Sequence, residues 1–218
     1  MKPGKFISFE GTEGCGKSTQ AELLYRWLQG RNIPCLMLRE PGGTAIGEKI
    51  RYLLKHDPSA FEMCPETELL LFSASRAQLV RQVLQPTLGA GTWVICDRFL
   101  DSTTVYQGYA RGIDLKNIQA LHQLTLGYLR PDKTFILEVS LQEAQKRLSR
   151  RVRPVGEEQD RIEAEPADFF EKVHQGYRIV AEQEPGRICL IQAEGKSKED
   201  LSLKIQQEIL YAFSDILG

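Results

Sequence analysis

The sequence has no run of apolar residues long enough to span a membrane, and neither sign of charge dominates it. Its 218 residues include 28 Lys and Arg against 29 Asp and Glu, which gives a formal net charge of −1. Broad electrostatic binding to nucleic acid requires a basic surface, so we expect neither nucleic acid nor a membrane as a partner. Too few residues precede the first apolar run for a signal peptide, and we expect a cytoplasmic protein.

Cysteine is scarce and shows no pairing pattern. The chain has five cysteines, an odd number, scattered without a Cys-x-x-Cys pair. This pattern argues against a disulfide framework or a zinc site and is typical of a reducing compartment. Cys35, Cys96 and Cys189 fall in or beside strand-like runs, where cysteine is usually a small core residue. We interpret Cys15, in a glycine-rich loop, as a small residue that fits there, although a helix N-terminus can make such a thiol reactive.

Short apolar runs alternate with longer helical patterns, and no repeat, linker or low-complexity tract interrupts them. The alternation predicts strands at residues 5–10, 34–38, 92–96, 133–139 and 187–191, and helices at 18–29, 45–55, 65–84, 115–127, 141–151 and 197–213. Such alternation is typical of a parallel sheet with helices on both faces. Apolar residues make up 42% of the chain, an ordinary globular composition, so we expect one α/β domain over residues 1–218.

The glycine-rich loop at residues 11–18 reads GTEGCGKS, which matches the phosphate-binding pattern G-x-x-x-x-G-K-S. It lies between the first predicted strand and the first predicted helix, the context in which its glycines let the backbone wrap a phosphate. Lys17 is expected to reach the outer phosphates of a nucleotide, and Ser18 to hold Mg²⁺. The other expected contacts to that nucleotide come from Gly11, Thr12, Glu13, Gly14, Cys15, Gly16 and Thr19.

Asp97 and Arg98 directly follow the third predicted strand. In a parallel α/β sheet, ligands bind beyond the carboxyl ends of the strands. A carboxylate there is typical of the residue that orders Mg²⁺ beside a phosphate-binding loop, and the adjacent guanidinium suits a second, acceptor phosphate. The alternative is a helix N-cap followed by a surface arginine; we favour the phosphate site because the preceding strand is so clear.

A charged segment, RLSRRVRPVGEEQDR at residues 147–161, breaks the alternation. It is nearly free of large apolar side chains and cannot bury a face, so we expect it to be exposed. It is either a solvated loop or an arginine-bearing lid. Phosphoryl transfer needs positive charge and the exclusion of water, which favours a lid at about 147–163.

The class of nucleotide-binding protein can be narrowed further. A GTPase would carry a guanine-reading N-K-x-D after a later strand, and none is present; a large ATPase motor would need more chain. A small phosphoryl-transfer enzyme remains, and it needs an acceptor site. Phe72 and Arg76 share one helical face and suit a base, although their spacing alone favours a core residue with an arginine at the rim. Tyr106 and Gln107 are equally ambiguous alone.

Six segments, taken together, resemble the thymidylate kinase family. They are FEGTEGCGKST (9–19), REPGGT (39–44), LLLFSASRAQ (69–78), DRFLDSTTVYQGYARGID (97–114), PDKTFILEV (131–139) and DRIE (160–163), in the family's order. The resemblance implies transfer of the γ-phosphoryl group of ATP to dTMP, giving dTDP and ADP with Mg²⁺. It also implies the P-loop nucleoside monophosphate kinase fold, with a five-stranded parallel sheet and a short lid, and a homodimer.

For the acceptor, the resemblance implies a role for each matched residue. Phe72 corresponds to the residue that stacks on the base, and Arg76 to the residue that reads thymine. Thr103 stands where some members carry Asn against the base. The sugar and phosphate contacts correspond to Glu13 for the 3′-hydroxyl, Tyr106 and Gln107 near the 2′ position, and Arg98 with Arg51 for the acceptor phosphate.

For the donor, Arg147 corresponds to a residue near adenine, together with the main chain of residues 193–195. Some members carry a catalytic arginine inside the phosphate-binding loop, but positions 12–15 here are Thr, Glu, Gly and Cys. The chain therefore resembles the bacterial subtype, in which lid arginines supply the charge. That role falls to Arg151 or Arg153, and the sequence does not choose between them and Arg150.

Two alternatives to a dTMP kinase stay open. The first is a kinase for another (deoxy)nucleoside monophosphate, against which Phe72, Arg76, Glu13 and Tyr106 argue. The second is a nucleotide-dependent switch without an acceptor, which would not need the arginine at position 98.

Overall fold

A computed structural model of the chain describes residues 3–150 and 161–217. It contains one five-stranded sheet in the order β2-β3-β1-β4-β5, and all the pairings are parallel. The strands are β1 Phe6–Glu10, β2 Cys35–Arg39, β3 Trp93–Asp97, β4 Lys133–Glu138 and β5 Ile188–Gln192. Each lies within one residue of its predicted position, so the parallel α/β prediction is confirmed.

Helices surround the sheet. They are α1 Lys17–Gly30, α2 Ala45–Lys55, α3 Pro65–Leu79, α4 Gln85–Gly89, α5 Leu100–Thr103, α6 Leu115–Leu126, α7 Leu141–Ser149, α8 Ala167–Gln183, α9 Lys198–Ala212 and α10 Ser214–Leu217. A π-helical stretch, Val80–Leu84, joins α3 to α4, and another, Thr104–Ala110, continues α5. The six predicted helices are all present. None of the described helices is long and apolar enough to cross a membrane.

Side chains on alternate positions of β1 face opposite sides of the sheet, because strand side chains have a period of two. Ile7 and Phe9 pack with residues of α1 and α9, whereas Phe6 packs with residues of α3 and α4. Both faces of the sheet are therefore covered, as is typical of a parallel sheet. The carboxyl edge is then the place where polar side chains can gather around a ligand.

Several helices begin at a side-chain cap. Thr44, Ser140 and Ser197 accept hydrogen bonds from backbone N–H groups at the starts of α2, α7 and α9. Helix α1 differs, since its N-cap is Gly16 in a left-handed conformation with no capping side chain. The first backbone N–H groups of α1 are consequently left to whatever occupies the phosphate-binding loop.

Helix α8 and the helical stretch from 100 to 110 are absent from the predicted elements, and they pack against each other. The buried side chains of α8 include Phe169, Val173, Tyr177 and Val180, which have helical spacing. Gly176 permits the close approach: a Cβ atom there would lie 3.1 Å from the Tyr109 Cβ and the Val105 Cγ1. This contact brings Tyr177 to the carboxyl edge of the sheet.

Candidate active site

An open cleft lies at the carboxyl edge of the sheet. Its lining includes the predicted residues Glu13, Lys17, Ser18, Arg51, Phe72, Arg76, Asp97, Arg98, Thr103, Tyr106 and Gln107. It also includes residues that were not predicted, namely Arg39, Glu40, Pro41, Lys55, Phe99, Ser102, Ile162 and Glu163. The rest of the phosphate-binding loop and Arg147 lie outside this lining. The fold thus brings together the predicted acceptor residues from four separate segments.

The phosphate-binding loop has the backbone that its glycines predict. Gly11 has φ 132°, and a Cβ there would lie 2.4 Å from the Leu137 carbonyl oxygen, so only glycine fits. Gly16 has φ 99°, and a Cβ there would meet no heavy atom within 4 Å. The loop is therefore closed on its sheet side and open at Gly16, where the N-terminus of α1 favours an anion.

Lys17, the first residue of α1, is buried, and its Nζ donates to the Thr12 carbonyl oxygen at 3.3 Å. Thr12 is also buried within the loop, whereas Thr19 is exposed on the first turn of α1. The Lys17 ammonium thus closes the loop on itself and faces the cleft. That position suits a phosphate oxygen, for which ammonium is a strong partner.

Ser18 and Asp97 meet directly, since the Ser18 hydroxyl donates to Asp97 Oδ2. The second oxygen, Asp97 Oδ1, is buried and has no hydrogen-bond partner among the described residues. Hydroxyl and carboxylate oxygens suit Mg²⁺, and an unpartnered carboxylate oxygen fits an ion or its water shell. The described part of the chain has no group of three or more His, Cys, Asp or Glu that would hold a metal. Mg²⁺ here would depend on phosphate and water oxygens.

Glu13 links the loop to Arg98 and Tyr106. Arg98 Nη2 donates to Glu13 Oε1 at 2.6 Å, and the Tyr106 hydroxyl donates to Glu13 Oε2 at 2.8 Å. Burial alone raises the pKa of the Glu13 carboxyl, but the charges of Arg98 and Lys17 outweigh it and hold the pKa below its ordinary value. Glu13 is therefore an ionised acceptor with both oxygens engaged beside the cleft.

Arg76 is buried rather than at a rim, with 1% of its surface exposed. Its Nε donates to Glu40 Oε2 at 2.7 Å and its Nη2 to the Phe99 carbonyl oxygen at 3.1 Å. Burial raises the pKa of the Glu40 carboxyl, and the charge of Arg76 offsets this only in part. Arg76 Nη1 and Thr103 Oγ1 are buried with no hydrogen-bond partner in the described residues. Arg76 and Thr103 both line the cleft, as do Glu40 and Asp97, whose Oε1 and Oδ1 atoms also have no described partner.

Phe72 lies one helical turn before Arg76 on α3. It is half-buried, since it packs against the core cluster that contains Tyr106 and also lines the cleft. The two interpretations of Phe72, as a core residue and as a platform for a base, are therefore compatible.

Glu68 ties the acceptor side of the cleft to the end of the predicted lid. It accepts from Gln107 Nε2 at 2.6 Å, from Arg111 Nη2 at 3.0 Å and from Arg161. Burial raises the pKa of Glu68, but the hydrogen bond and charge of Arg111 and the charge of Arg161 outweigh this effect. The pKa of Glu68 therefore lies below its ordinary value. Glu68 shares a helical face with Phe72, so spacing on α3 was the signal that could have identified it.

The residues that were predicted to contact the donor nucleotide do not all line the cleft. Arg147 donates from Nε to Glu143 at 2.7 Å and from Nη1 to the Cys15 carbonyl oxygen at 3.4 Å, which places it against the phosphate-binding loop. Glu194, beyond β5, accepts from the Ser140 N–H at 2.8 Å. Cys15 is buried, and burial raises the pKa of its thiol, which supports a small packing residue over a reactive one.

Arg151 and Arg153 lie outside the described residues, as does most of the predicted lid. The single-domain assignment and the lid at 147–163 stay predictions.

Known proteins are similar to this chain over most of its length. The family model described as thymidylate kinase matches residues 9–205. A thymidylate kinase of Kosmotoga olearia is 42% identical over 205 residues, which cover 94% of this chain and 95% of that protein. One from Chlorobium luteolum is 47% identical over 191 residues, covering 86% and 88% respectively.

The crystal structure of thymidylate kinase from Ehrlichia chaffeensis is also similar. It is 32% identical, with a TM-score of 0.73, and the match covers 95% of this chain and 99% of that one. Its likeness supports the same sheet and surrounding helices. The chain belongs to the thymidylate kinase family.

Proposed function

We propose that this protein phosphorylates dTMP to dTDP with ATP and Mg²⁺, by direct in-line transfer of the γ-phosphoryl group. The observation that carries the acceptor assignment is the pair of unpaired buried groups, Arg76 Nη1 and Thr103 Oγ1, in the cleft beside Phe72. A buried polar group without a partner costs about 1–3 kcal/mol, so the cleft favours a ligand that pairs with both. Thymine offers an adjacent carbonyl oxygen and N–H and a ring to stack on Phe72.

The sugar would lie between Glu13 and Tyr106. Glu13 is ionised and can accept from the 3′-hydroxyl. Tyr106 lines the cleft, and the family resemblance implies that it would crowd the 2′ position. Gln107 supports this side of the cleft through its hydrogen bond to Glu68. A deoxyribonucleotide is therefore favoured over a ribonucleotide.

The acceptor phosphate would lie near Arg98 and Arg51, which line the cleft with Lys17. Arg51 Nη1 donates to the Pro41 carbonyl oxygen at 3.1 Å, so its guanidinium is held near the loop that follows β2. A phosphate monoester has a second pKa of about 6 and is mainly a dianion at neutral pH, so it attacks without a general base. We accordingly assign no base role to Glu13 or Asp97. Catalysis is positioning and charge stabilisation.

For the donor, we keep Lys17 and the loop backbone on the phosphates and Arg147 with residues 193–195 near adenine. Arg147 already contacts the loop through the Cys15 carbonyl oxygen. The arginine that stabilises the transferred group stays assigned to Arg151 or Arg153. Replacing each in turn by alanine distinguishes them.

Asp97→Asn is expected to raise the Mg²⁺ concentration for half-maximal turnover about tenfold or more, because a neutral amide holds Mg²⁺ or its waters less well. Chelation of Mg²⁺ should stop turnover both in Asp97→Asn and in the unaltered protein. Mg²⁺ titration of the steady-state rate measures the shift. The control is Asp168→Asn, an exposed carboxylate in the first turn of α8. An unchanged Mg²⁺ requirement in Asp97→Asn would rule out the metal assignment.

The acceptor assignment is tested by a coupled ADP-release assay with dTMP, dUMP, dCMP, AMP and thymidine. We expect dTMP to give the highest kcat/KM. A higher value for another monophosphate would transfer the assignment to that acceptor. ATP consumption that no acceptor changes would indicate a nucleotide-dependent switch instead.

We also propose that the protein is a cytoplasmic homodimer. Large apolar side chains are exposed on α2, α3 and α6, with Leu70 56% and Leu124 75% exposed. These helices pack side by side, α2 on α3 and α3 on α6. Exposed apolar surface of this kind suits a second copy of the chain. Sedimentation velocity would show a species of twice the chain mass, and a monomer at micromolar concentration would contradict it.

A further inference from the structure

Glu10, the last residue of β1, is a buried carboxylate that the proposed catalytic scheme does not use. It has no exposed surface. Its Oε1 accepts from the backbone N–H of Phe99 at 2.7 Å and of Ser102 at 3.3 Å. Its Oε2 accepts from the Ser102 hydroxyl at 2.6 Å and the Tyr177 hydroxyl at 3.0 Å. Burying a carboxylate without hydrogen-bond donors costs free energy, so the groups that donate these four hydrogen bonds indicate what Glu10 does in the fold.

The two hydroxyls that donate to Glu10 also accept from Arg98. Arg98 Nη1 lies 3.0 Å from the Ser102 hydroxyl oxygen and 3.1 Å from that of Tyr177. Burial, and then the nearby Asp101 carboxyl, raise the pKa of Glu10 to about 7, while the charge of Arg98 lowers it. In its ionised form Glu10 only accepts, each hydroxyl has one proton to donate, and the two hydroxyl oxygens also lie 3.1 Å from each other. With both protons directed to ionised Glu10, the hydroxyl lone pairs face the Arg98 guanidinium.

The other Glu10 oxygen holds the backbone that carries Arg98. Arg98 has φ 71°, in the left-handed region that a non-glycine residue rarely adopts. Phe99 comes next and is the N-cap of helix α5, and its side chain makes no capping hydrogen bond. Instead of a local capping side chain, Glu10 Oε1 accepts hydrogen bonds from the backbone N–H groups of Phe99 and Ser102. A remote carboxylate thus fixes the turn at Arg98.

We infer that Glu10 is a positioning residue for Arg98, acting through the hydroxyls of Ser102 and Tyr177 to hold the guanidinium for the acceptor phosphate. The inference rests on the proposed role of Arg98 in binding that phosphate. Glu13 and Tyr106 hold the opposite nitrogen, Nη2. The guanidinium is consequently restrained from both ends, and it binds a phosphate with less loss of side-chain entropy than a free arginine does.

Binding of dTMP and of thymidine separates positioning of Arg98 from general support of the fold, because thymidine lacks the phosphate. In Tyr177→Phe, Ser102→Ala and Glu10→Gln we expect the dTMP dissociation constant to rise about tenfold, the loss of roughly one charge-assisted hydrogen bond. The thymidine constant should stay within about twofold. Calorimetry measures both, and steady-state kinetics should show a higher KM for dTMP with an unchanged KM for ATP.

The control is Tyr25→Phe, which removes a tyrosine hydroxyl whose partner is Gln29 on the outside of α1. Combination with Arg98→Ala tests the route: Tyr177→Phe should weaken dTMP binding no further in that background. Equal losses for dTMP and thymidine, unchanged dTMP binding, or additive losses with Arg98→Ala would each overturn the inference. Tyr177→Phe keeps the ring that packs on Tyr106 and is the variant on which the result depends if the others do not fold.

The outcome for the unaltered protein separates this inference from the proposed function. If the protein binds dTMP no more tightly than thymidine, the acceptor-phosphate site itself is wrong. If it prefers dTMP and the three variants do too by the same factor, only the role of Glu10 fails.

Discussion

Lys17→Ala is expected to lower kcat by about 10³-fold with ATP and dTMP both saturating. Lys17 is buried at the start of α1, and its Nζ makes one long hydrogen bond to the Thr12 carbonyl oxygen. The ammonium is thus available to the phosphates, whose charge shifts towards the donor oxygens as the phosphoryl group moves. An interaction that strengthens in the transition state affects kcat more than KM.

Lys116→Ala is the matched control, since Lys116 is an exposed lysine in the first turn of α6. It should retain the full rate. Thermal unfolding of both variants should stay close to that of the unaltered protein, because the hydrogen bond from Lys17 Nζ to the Thr12 carbonyl oxygen is long and lies within its own loop. Turnover of Lys17→Ala within tenfold of normal would contradict the phosphate assignment.

Arg76→Ala is expected to destabilise the fold by about 3–5 kcal/mol, because it leaves a buried carboxylate without its cation. Glu40 loses the partner that donates to it at 2.7 Å. The KM for dTMP should also rise, by about 10- to 100-fold for a lost charged hydrogen bond to the base. Urea unfolding measures the first effect and steady-state kinetics the second. A loss of stability below about 1 kcal/mol would show that Glu40 does not need Arg76.

The loss of stability in Arg76→Ala should grow with pH. Burial already raises the pKa of Glu40, so its ionisation above the ordinary carboxyl pKa costs stability as pH rises. Removing Arg76 removes the charge that offsets this cost, and the deficit is larger at pH 8 than at pH 5. Glu40→Gln combined with Arg76→Ala should recover part of the stability and abolish the added pH dependence. An equal loss of stability at pH 5 and pH 8 would show that Arg76→Ala destabilises the fold through lost packing instead.

The strands and the chemistry that follows them could be read from sequence because both are local. Each strand is a short apolar run bounded by turn residues; the phosphate-binding loop directly follows β1, and Asp97 is the last residue of β3. Helix α8 was missed although Phe169, Val173 and Tyr177 have helical spacing. A glycine in the interior of a helix lowers its propensity by about 1 kcal/mol, and only the packing against Val105 and Tyr109 explains why Gly176 is there.

The partners of the site residues depend on contacts that no local pattern contains. Glu40 meets Arg76 across 36 positions, and Tyr177 meets Glu10 across 167. Whether Glu10 at the end of an apolar strand is buried or solvated is decided by α8, which comes from the other end of the chain. The sequence therefore predicted the residues that are proposed to touch ligand, and the structure added the residues that hold them.

The uncapped start of α1 and the unpaired atoms of Arg76, Thr103 and Asp97 have a consequence for the lifetime of the protein. In the folded chain these polar groups have no partner among the described residues, and the proposed ligands would supply one to each. Ligands at 100 times their dissociation constant add about 2.7 kcal/mol to the free energy of unfolding. Resistance to proteolysis should then follow nucleotide concentration, so that the amount of protein in a cell rises and falls with its own substrates.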